Sequence, residues 1–142
     1  MNPEDIKIYQ VGVKGVLVNQ NKSLALLKNV NGRTFWDVPG GRIQKGETME
    51  QALKSELSEE VPNLNDYEVK NFLSAYVIEG ANTVEKIDLL LLFRKIETDL
   101  EKVELSEEHQ SYKWVSLEEI DSLEKEASIS EGIKEALKLS LS

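Results

Sequence analysis

Short apolar runs separated by turn residues occupy the first part of the chain, a pattern typical of β-strands. Runs at residues 9–19 and 23–28 flank a short polar turn, which predicts a β-hairpin. A shorter run at residues 35–38 precedes a Pro-Gly-Gly break at residues 39–41. The pattern therefore predicts three strands ahead of the first helix.

An amphipathic helix is predicted from Met49 to about Glu60. Thr48 has the character of an N-cap, and Gln51, three residues later, completes a capping box. Pro62 ends the helix, because a proline disfavours helical geometry in the residue before it.

The helical wheel of this segment aims one acid at the core. With roughly 100° per residue, Met49, Leu53 and Leu57 share one face, which we expect to be buried. Glu60 falls between Met49 and Leu53, and Glu56 lies at the edge of the face. A buried carboxylate is costly unless it has a partner. On spacing alone, the more common alternative is that the helix ends early and Glu60 points into water.

The second half of the chain contains two longer apolar segments. Runs at residues 67–79 and 86–96 flank the turn-like residues 80–83 and predict another hairpin. Residues 87–93 are almost continuously apolar, which predicts burial on both faces of the strand. A last short strand is expected at residues 111–115.

Two further capping boxes predict C-terminal helices. Ser116 with Glu119, and Ser128 with Glu131, each place a glutamate three residues after a serine. The second helix carries an apolar stripe at helical spacing, formed by Ile129, Ile133, Ala136 and Leu137. Hairpins, one central helix and terminal helices predict an α/β fold, a mixed β-sheet between helical layers, in one domain over residues 1–142.

Composition and charge restrict the classes of function. The chain has 142 residues, no cysteine, one histidine (His109) and a net charge of −9. Disulfides, thiolate metal sites and sites with two imidazoles are excluded, and the charge argues against a nucleic-acid polymer as partner. No apolar run is long enough to cross a bilayer and the start lacks a signal-peptide pattern, so we expect a cytoplasmic protein without membrane contact.

Three glutamates, Glu56, Glu59 and Glu60, crowd the final turn of the predicted helix. Glu56 repels the other two, since residues three and four apart are neighbours on a helix. The helix dipole also disfavours negative charge at this end. A divalent cation bound by hard oxygen ligands would relieve both penalties.

Residues 41–63 resemble the Nudix box, the signature of the Nudix hydrolase superfamily. The box glycine, its first glutamate and the glutamates and hydrophobic residue of its core are matched by Gly41, Glu47, Glu56, Leu57, Glu59 and Glu60. The approach at residues 36–41 and the later segments 107–109 and 114–119 are also similar to parts of that family.

Three positions depart from the box. Ser55 replaces its arginine, Pro62 its second glycine and Asn63 its closing hydrophobic residue. In the family, the arginine pairs with a box glutamate and helps to tie the loop to the helix. Ser55 is too short for that contact, so the loop loses an expected anchor unless Arg42 or Lys45 substitutes.

The resemblance implies a Nudix-type α/β/α sandwich that hydrolyses a nucleoside diphosphate linked to another group, with water attacking a phosphorus. It implies Mg²⁺, with Mn²⁺ as the alternative, bound by Glu56 and Glu60 as principal ligands and Glu59 as a further one. The family places its general base either in the box or on a later loop. Glu56 and Glu59 are the box candidates, and Glu107 and Glu108 the loop candidates; we favour Glu108 as base or fourth metal contact.

Substrate contacts are predicted beside the box. Arg42 could bind phosphate, although a solvated arginine is equally common. Gly40 and Gly41 permit a tight turn next to the metal, the alternative being an ordinary strand-to-loop turn. Trp36 or Phe35 could stack on a base, with the other one serving the core. The implied partner is a small nucleotide, and a homodimer is an option because many relatives dimerise.

Two other interpretations stay open. A Nudix-fold module that binds a nucleotide or a protein but turns over poorly would explain Ser55. An acidic structural protein would explain the charge but not the ordered spacing of glycine and glutamates.

Overall fold

The computed structural model describes residues 1–82 and 86–142. Within these residues the strands are β1 (Tyr9–Asn19), β2 (Lys22–Val30), β3 (Arg33–Asp37), β4 (Gly40–Arg42), β5 (Tyr67–Asn82), β6 (Ile87–Thr98), β7 (His109–Val115) and β8 (Ser128–Ile129). The helices are α1 (Met49–Glu60), α2 (Glu131–Ser140) and two 3-10 helices, Pro3–Asp5 and Leu117–Lys125. None of the described helices has the length and apolar character needed to cross a membrane.

The sheet splits because β1 and β2 separate soon after their hairpin turn. They pair at Val18 with Ser23 and at Asn19 with Lys22. Further along, β1 pairs with β4 and β6, whereas β2 pairs with β3 and β7. A cleft therefore opens between a β1 half (β1, β4, β5 and β6) and a β2 half (β2, β3, β7 and β8) of the sheet.

Helices cover both faces of the sheet, each over its own apolar cluster. One cluster joins Leu53 and Leu57 of α1 to strand residues such as Leu24 and Ile96. The other joins Leu137 of α2 to the opposite face. The β1–β6 and β3–β8 pairs are parallel and the remaining described pairs are antiparallel. The predicted α/β/α sandwich with a mixed sheet is therefore confirmed.

Both predicted ends of α1 are confirmed. Thr48 Oγ1 accepts from the Gln51 N–H at 3.1 Å, and Gln51 Oε1 accepts from the Thr48 N–H at 2.9 Å. The helix ends at Glu60, and Val61, which precedes Pro62, leaves helical geometry with φ −129°. Every one of these contacts lies within a few residues along the chain, which is why the sequence could predict them.

The buried face of α1 differs from the prediction at its first turn. Leu53 and Leu57 are buried, but Met49 is 49% exposed. The helix meets the sheet at Gly15, where a Cβ would lie 3.2 Å from Leu57, and Met49 extends past this contact. Glu60, predicted on the same face, is 6% exposed and therefore buried.

Strand β6 is not buried on both faces, contrary to the prediction from residues 87–93. Leu89 and Leu91 belong to the cluster beneath α2, whereas Leu90 and Leu92 are half-buried. Their face of β6 borders a shallow groove, because α1 covers the other end of that face.

The capping box predicted at Ser128 is also wrong. Ser128 and Ile129 form β8, which pairs in parallel with β3. Helix α2 begins at Glu131, and its N-cap is Ser130, whose Oγ accepts from the Ile133 N–H at 3.2 Å. A two-residue strand has no periodicity of its own, so only its pairing with a distant strand reveals it.

Two other local predictions need adjustment. Glu119 accepts hydrogen bonds from the backbone and hydroxyl of Ser116, but the helix that follows is of the 3-10 type. Strand β5 continues through most of the turn predicted at residues 80–83, and Thr83 lies outside the described residues.

Candidate active site

The last turn of α1 packs against the loop between β3 and β4. The Gly40 N–H donates to Glu60 Oε2 at 2.5 Å. Gly40 has φ +153°, and a Cβ there would lie 2.2 Å from the Val13 carbonyl oxygen. A residue with a side chain cannot occupy this position without moving the backbone. The loop therefore reaches Glu60 through a residue that has no side chain.

Glu56 fills the space that a side chain at Gly41 would need. A Cβ at Gly41 would lie 2.5 Å from the carboxyl carbon of Glu56. Glu56 is half-buried, and burial followed by the charge of Glu59 raises its pKa, while the charge of Lys14 lowers it. The box glycine thus determines where this carboxylate can lie.

Glu60 lies in a nearly dry environment. Burial raises the pKa of Glu60 to about 7, against the lowering effects of the Gly40 N–H and the Lys14 charge. Its Oε1 lies 3.5 Å from Nε2 of His109, whose own pKa is lowered, first of all by burial. Burial therefore disfavours the charged form of each of these two groups. A bound divalent cation would offset the penalty that burial places on the charged form of Glu60.

An ion pair that sequence analysis missed lies in the cleft. Lys14 Nζ donates to Asp37 Oδ1 and Oδ2 at 3.1 and 3.2 Å and to the Val38 carbonyl oxygen at 3.3 Å. Lys14 belongs to β1 and Asp37 ends β3, so the pair joins the two halves of the sheet. A lysine inside the apolar run of β1 was the available signal, because lysine is rarely buried without a partner.

The other predicted ligands and bases lie on the open side of the site. Glu59 and Glu107 are exposed, and the Glu108 side chain is 68% exposed, 3.8 Å from Lys28 Nζ. The charge of Glu108 contributes to the raised pKa of Glu56, so the Glu108 loop faces the box. Across residues 1–82 and 86–142, no three acidic or histidine side chains converge into a ready metal site.

The residues present nevertheless fit a divalent cation. Glu56 and Glu60 lie one helical turn apart, offer hard oxygen ligands and both have raised pKa values. This donor set suits Mg²⁺ or Mn²⁺. Two of the predicted ligands are thus held by the fold, whereas the predicted ligand Glu59 is exposed.

A cavity of about 590 Å³ opens in the cleft beside these residues. Its lining includes all of the predicted substrate-binding residues: Phe35, Trp36, Gly40, Gly41 and Arg42. The other positive residues of the lining are Lys14, Lys28 and Arg33, and its apolar residues include Leu89, Leu91, Ile129 and Ile133. Asp37 is the acidic residue within the described lining, and Lys14 neutralises it. The cavity therefore combines an apolar wall with positive charge.

A second cavity, of about 580 Å³, lies beside the start of β5 and the end of β6. Asp66, Glu68, Glu97 and Asp99 border it. These acidic residues give the second cavity a negative lining, in contrast to the positive charge of the cleft cavity.

The aromatic residues of β3 have different positions. Trp36, predicted to contact substrate, is 1% exposed, and its indole N–H donates to the Leu123 carbonyl oxygen at 2.8 Å. Its ring is therefore held in the core. Phe35 is half-buried and lines the cavity, and the Arg33 guanidinium lies 5.6 Å from the centre of its ring. Phe35 is the better placed of the two rings for stacking.

The NUDIX domain family matches residues 8–137 of the chain. The protein belongs to this family. The resemblance predicted from residues 41–63 is confirmed by this match.

One relative of known name shares part of the Nudix sequence. An 8-oxo-dGTP diphosphatase of Haemophilus influenzae (strain ATCC 51907 / DSM 11121 / KW20 / Rd) is 42% identical over 60 residues. The match covers 40% of this chain and 43% of that protein, so it spans less than half of either.

Solved structures share the Nudix fold over almost the whole chain. A MutT protein from Methanosarcina mazei Go1 is 21% identical with a TM-score of 0.73, covering 93% of this chain and 92% of the other. The E. coli dihydroneopterin triphosphate pyrophosphohydrolase is 19% identical with a TM-score of 0.72, covering 93% and 96%. A NUDIX family hydrolase from Clostridium perfringens is 16% identical with a TM-score of 0.74, covering 94% and 97%. At these identities the likeness concerns the fold.

Proposed function

We propose that this Nudix protein hydrolyses a phosphoanhydride bond in a nucleotide, a nucleoside diphosphate linked to another group, with a divalent cation held by Glu56, Glu59 and Glu60. One observation carries the proposal. Gly40 and Gly41 form a wall of bare backbone that contacts the box carboxylates Glu60 and Glu56 and also lines the cleft cavity.

The cavity lining supports a ligand with a flat apolar ring and a negatively charged tail. Phe35 offers a face for stacking, and Leu89 and Leu91 an apolar wall. Arg42, beside the wall of glycines, and Lys28, beside Glu108, supply positive charge for phosphate groups. Phosphate groups bound by these positive residues would lie next to the loop of Gly40 and Gly41, where they would share a cation with the carboxylates.

The roles of the protein's own groups follow from their burial. Mg²⁺ or Mn²⁺, when bound, supplies charge neutralisation for the diphosphate and lowers the pKa of a water. Glu60, oriented by the Gly40 N–H, and Glu56, fixed over Gly41, act as its principal ligands. We assign Glu108, which lies largely in water on a loop that faces the box, to accept a proton from the attacking water.

A purine nucleoside triphosphate is the first substrate to test. The partial match to an 8-oxo-dGTP diphosphatase supports this class. ADP-ribose-like compounds stay as the alternative. We further propose that residues 1–142 act as one domain in the cytoplasm; a homodimer remains an option that the resemblance suggests.

The experiment is a screen of nucleoside triphosphates, dinucleotides and nucleotide sugars with Mg²⁺ or Mn²⁺. We expect metal-dependent product formation that falls by about 100-fold or more in Glu60→Gln. Glu50→Gln is the matched control, because Glu50 is an exposed glutamate on the first turn of the same helix. Equal turnover in Glu60→Gln and wild type would refute the proposed site.

A second candidate is a Nudix module that binds a nucleotide or a protein with little turnover. Ser55 in place of the box arginine favours it. Ligand-induced thermal stabilisation without product, across the same panel, would support this candidate over the enzyme.

A further inference from the structure

The Lys14–Asp37 ion pair has no part in the proposed chemistry, yet it lies where the two halves of the sheet meet. The side chains are 11% and 12% exposed, and their charged atoms approach to 3.1 Å. Buried ion pairs are weak stabilisers, and an apolar pair of similar volume often serves the fold as well or better. A buried lysine in an apolar strand therefore calls for another explanation.

Both partners bind the loop that carries the wall of glycines. Asp37 Oδ1 accepts from the Val38 N–H at 2.8 Å, and Lys14 Nζ donates to the Val38 carbonyl oxygen at 3.3 Å. The ion pair therefore holds Val38 by its donor and its acceptor. The next residue is held as well, because the Pro39 carbonyl oxygen accepts from the Gly15 N–H at 2.8 Å.

The stem of Lys14 also packs against Gly40. A Cβ at Gly40 would lie 2.7 Å from both Cα and Cδ of Lys14. Lys14 and Gly40 are partners in the β1–β4 ladder, so this contact is fixed by strand register. From there the Gly40 N–H reaches Glu60. A continuous series of contacts thus runs from Lys14, through the loop, to the buried carboxylate.

We propose that Lys14 is a positioning residue. Through Asp37 and Val38 it holds residues 38–41 so that the Gly40 N–H and the bare Gly41 backbone place Glu60 and Glu56 for a divalent cation. The role of the loop in cation binding rests on the proposed function. The contacts between Lys14 and the loop rest on the observed hydrogen bonds and strand register. It also explains how the loop can be anchored although Ser55 is short and exposed.

The test removes both charges together. Lys14→Met alone leaves a buried carboxylate without its partner and would confuse misfolding with mispositioning. The double variant Lys14→Met/Asp37→Asn, here called the cleft double variant, removes both charges of the pair. Its matched control is Lys138→Met/Asp121→Asn, a surface pair at 2.9 Å between α2 and the second 3-10 helix.

Three measurements are made on the full chain. Thermal unfolding in the presence of a chelator measures stability. Amide hydrogen exchange under the same conditions measures how often residues 38–41 open to solvent, and calorimetry measures the affinity for Mn²⁺ alone. For the cleft double variant we expect a melting temperature close to wild type, exchange at Gly40 and Gly41 faster by about tenfold, and Mn²⁺ affinity lower by about tenfold. The surface double variant should leave exchange and affinity at wild-type values.

Unchanged exchange and Mn²⁺ affinity in a folded cleft double variant would overturn the inference. If that variant does not fold, Lys14→Gln/Asp37→Asn decides instead, because it also leaves no charge, keeps polar side chains at both positions and removes the ammonium that donates to the Val38 carbonyl oxygen. Faster loop exchange with weaker Mn²⁺ binding in Lys14→Gln/Asp37→Asn supports the inference, and wild-type values overturn it.

The outcomes separate this inference from the proposed function. If the wild type binds Mn²⁺ but hydrolyses no nucleotide of the panel, the proposed hydrolase activity is refuted. The exchange and Mn²⁺-binding measurements then still test the positioning role of Lys14. A wild type that hydrolyses a nucleotide, with a cleft double variant that does so equally well, refutes Lys14 alone. For an active wild type, we expect the cleft double variant to lose about tenfold in kcat with a smaller change in KM.

Discussion

The inner and outer sides of the carboxylate site differ in how far the fold has assembled them. On the inner side, Glu60 is 6% exposed, accepts the Gly40 N–H and faces His109. On the outer side, Glu59 is exposed, and the Glu108 side chain is 68% exposed. The inner side is therefore held in place by the fold without any ligand, whereas the side chains of the outer side are exposed to water.

The inner side shows how a fold can hold a carboxylate ready for a cation. Burial of Glu60 penalises its charged form, and hydrogen bonding to bare backbone offsets only part of that penalty. Glu108, by contrast, has a side chain that is 68% exposed to water. We expect the inner side to determine where a cation binds and the outer side to affect how fast the reaction runs.

The largest expected effect breaks the inner side at its backbone. Gly40→Ala should lower the free energy of unfolding by about 3 to 5 kcal/mol, because a Cβ would overlap the Val13 carbonyl and strain the backbone. Gly41→Ala should cost much less, since its Cβ meets the movable end of Glu56, but it should lower turnover. Urea unfolding in chelator measures both, and a larger stability loss in Gly41→Ala would contradict the assignment.

The next effect concerns pH. The pKa of Glu60 is about 7 when folded, against 4.5 as the ordinary value, so the folded state binds its proton more tightly. Metal-free stability should therefore fall as pH rises from about 4.5 to 7, by at most about 3 kcal/mol from this group. Glu60→Gln lacks the effect and should be the more stable protein at pH 8. Unfolding curves in chelator at pH 5 and 8 test this, and parallel pH profiles for the two proteins would count against it.

A smaller effect is expected on the outer side of the site, where the general base is predicted. Glu108→Gln should lower kcat by about tenfold to a hundredfold with little change in KM or stability, because the loop supplies a base and not a structural contact. Glu107→Gln is the direct comparison on the same loop. A greater loss of kcat in Glu107→Gln would identify Glu107 as the general base. No loss of kcat in either variant would mean that the base is one of the box glutamates, Glu56 or Glu59.

The smallest expected effect concerns the box itself. Ser55→Arg should change kcat by no more than about twofold, because Lys14, Asp37 and the Gly40–Glu60 hydrogen bond already hold the loop. Steady-state kinetics with the best substrate of the panel gives the answer. A rise of about tenfold would mean that the loop is poorly anchored in the natural sequence.

Local interactions explain which features could be predicted from the chain. The capping box at Thr48 and the helix end before Pro62 follow from contacts within one helix. The helical wheel placed Glu60 on the core side, but spacing alone favoured a position in water, and only the resemblance to the Nudix box favoured the buried position that the structure has. The order of glycine and glutamates likewise predicted the Nudix family, and with it the layered fold. Such features depend on neighbours a few positions apart, so the sequence alone determined them.

Only the tertiary structure decided the rest, because those features depend on residues far apart along the chain. Lys14 and Asp37 meet across a cleft that exists only because β1 and β2 separate. The two-residue strand β8 forms by pairing with β3, and Met49 is exposed because the sheet contact lies further along α1. Periodicity shows which face of an element is apolar, but the extent of the covering layer and the partners across a cleft are set by packing.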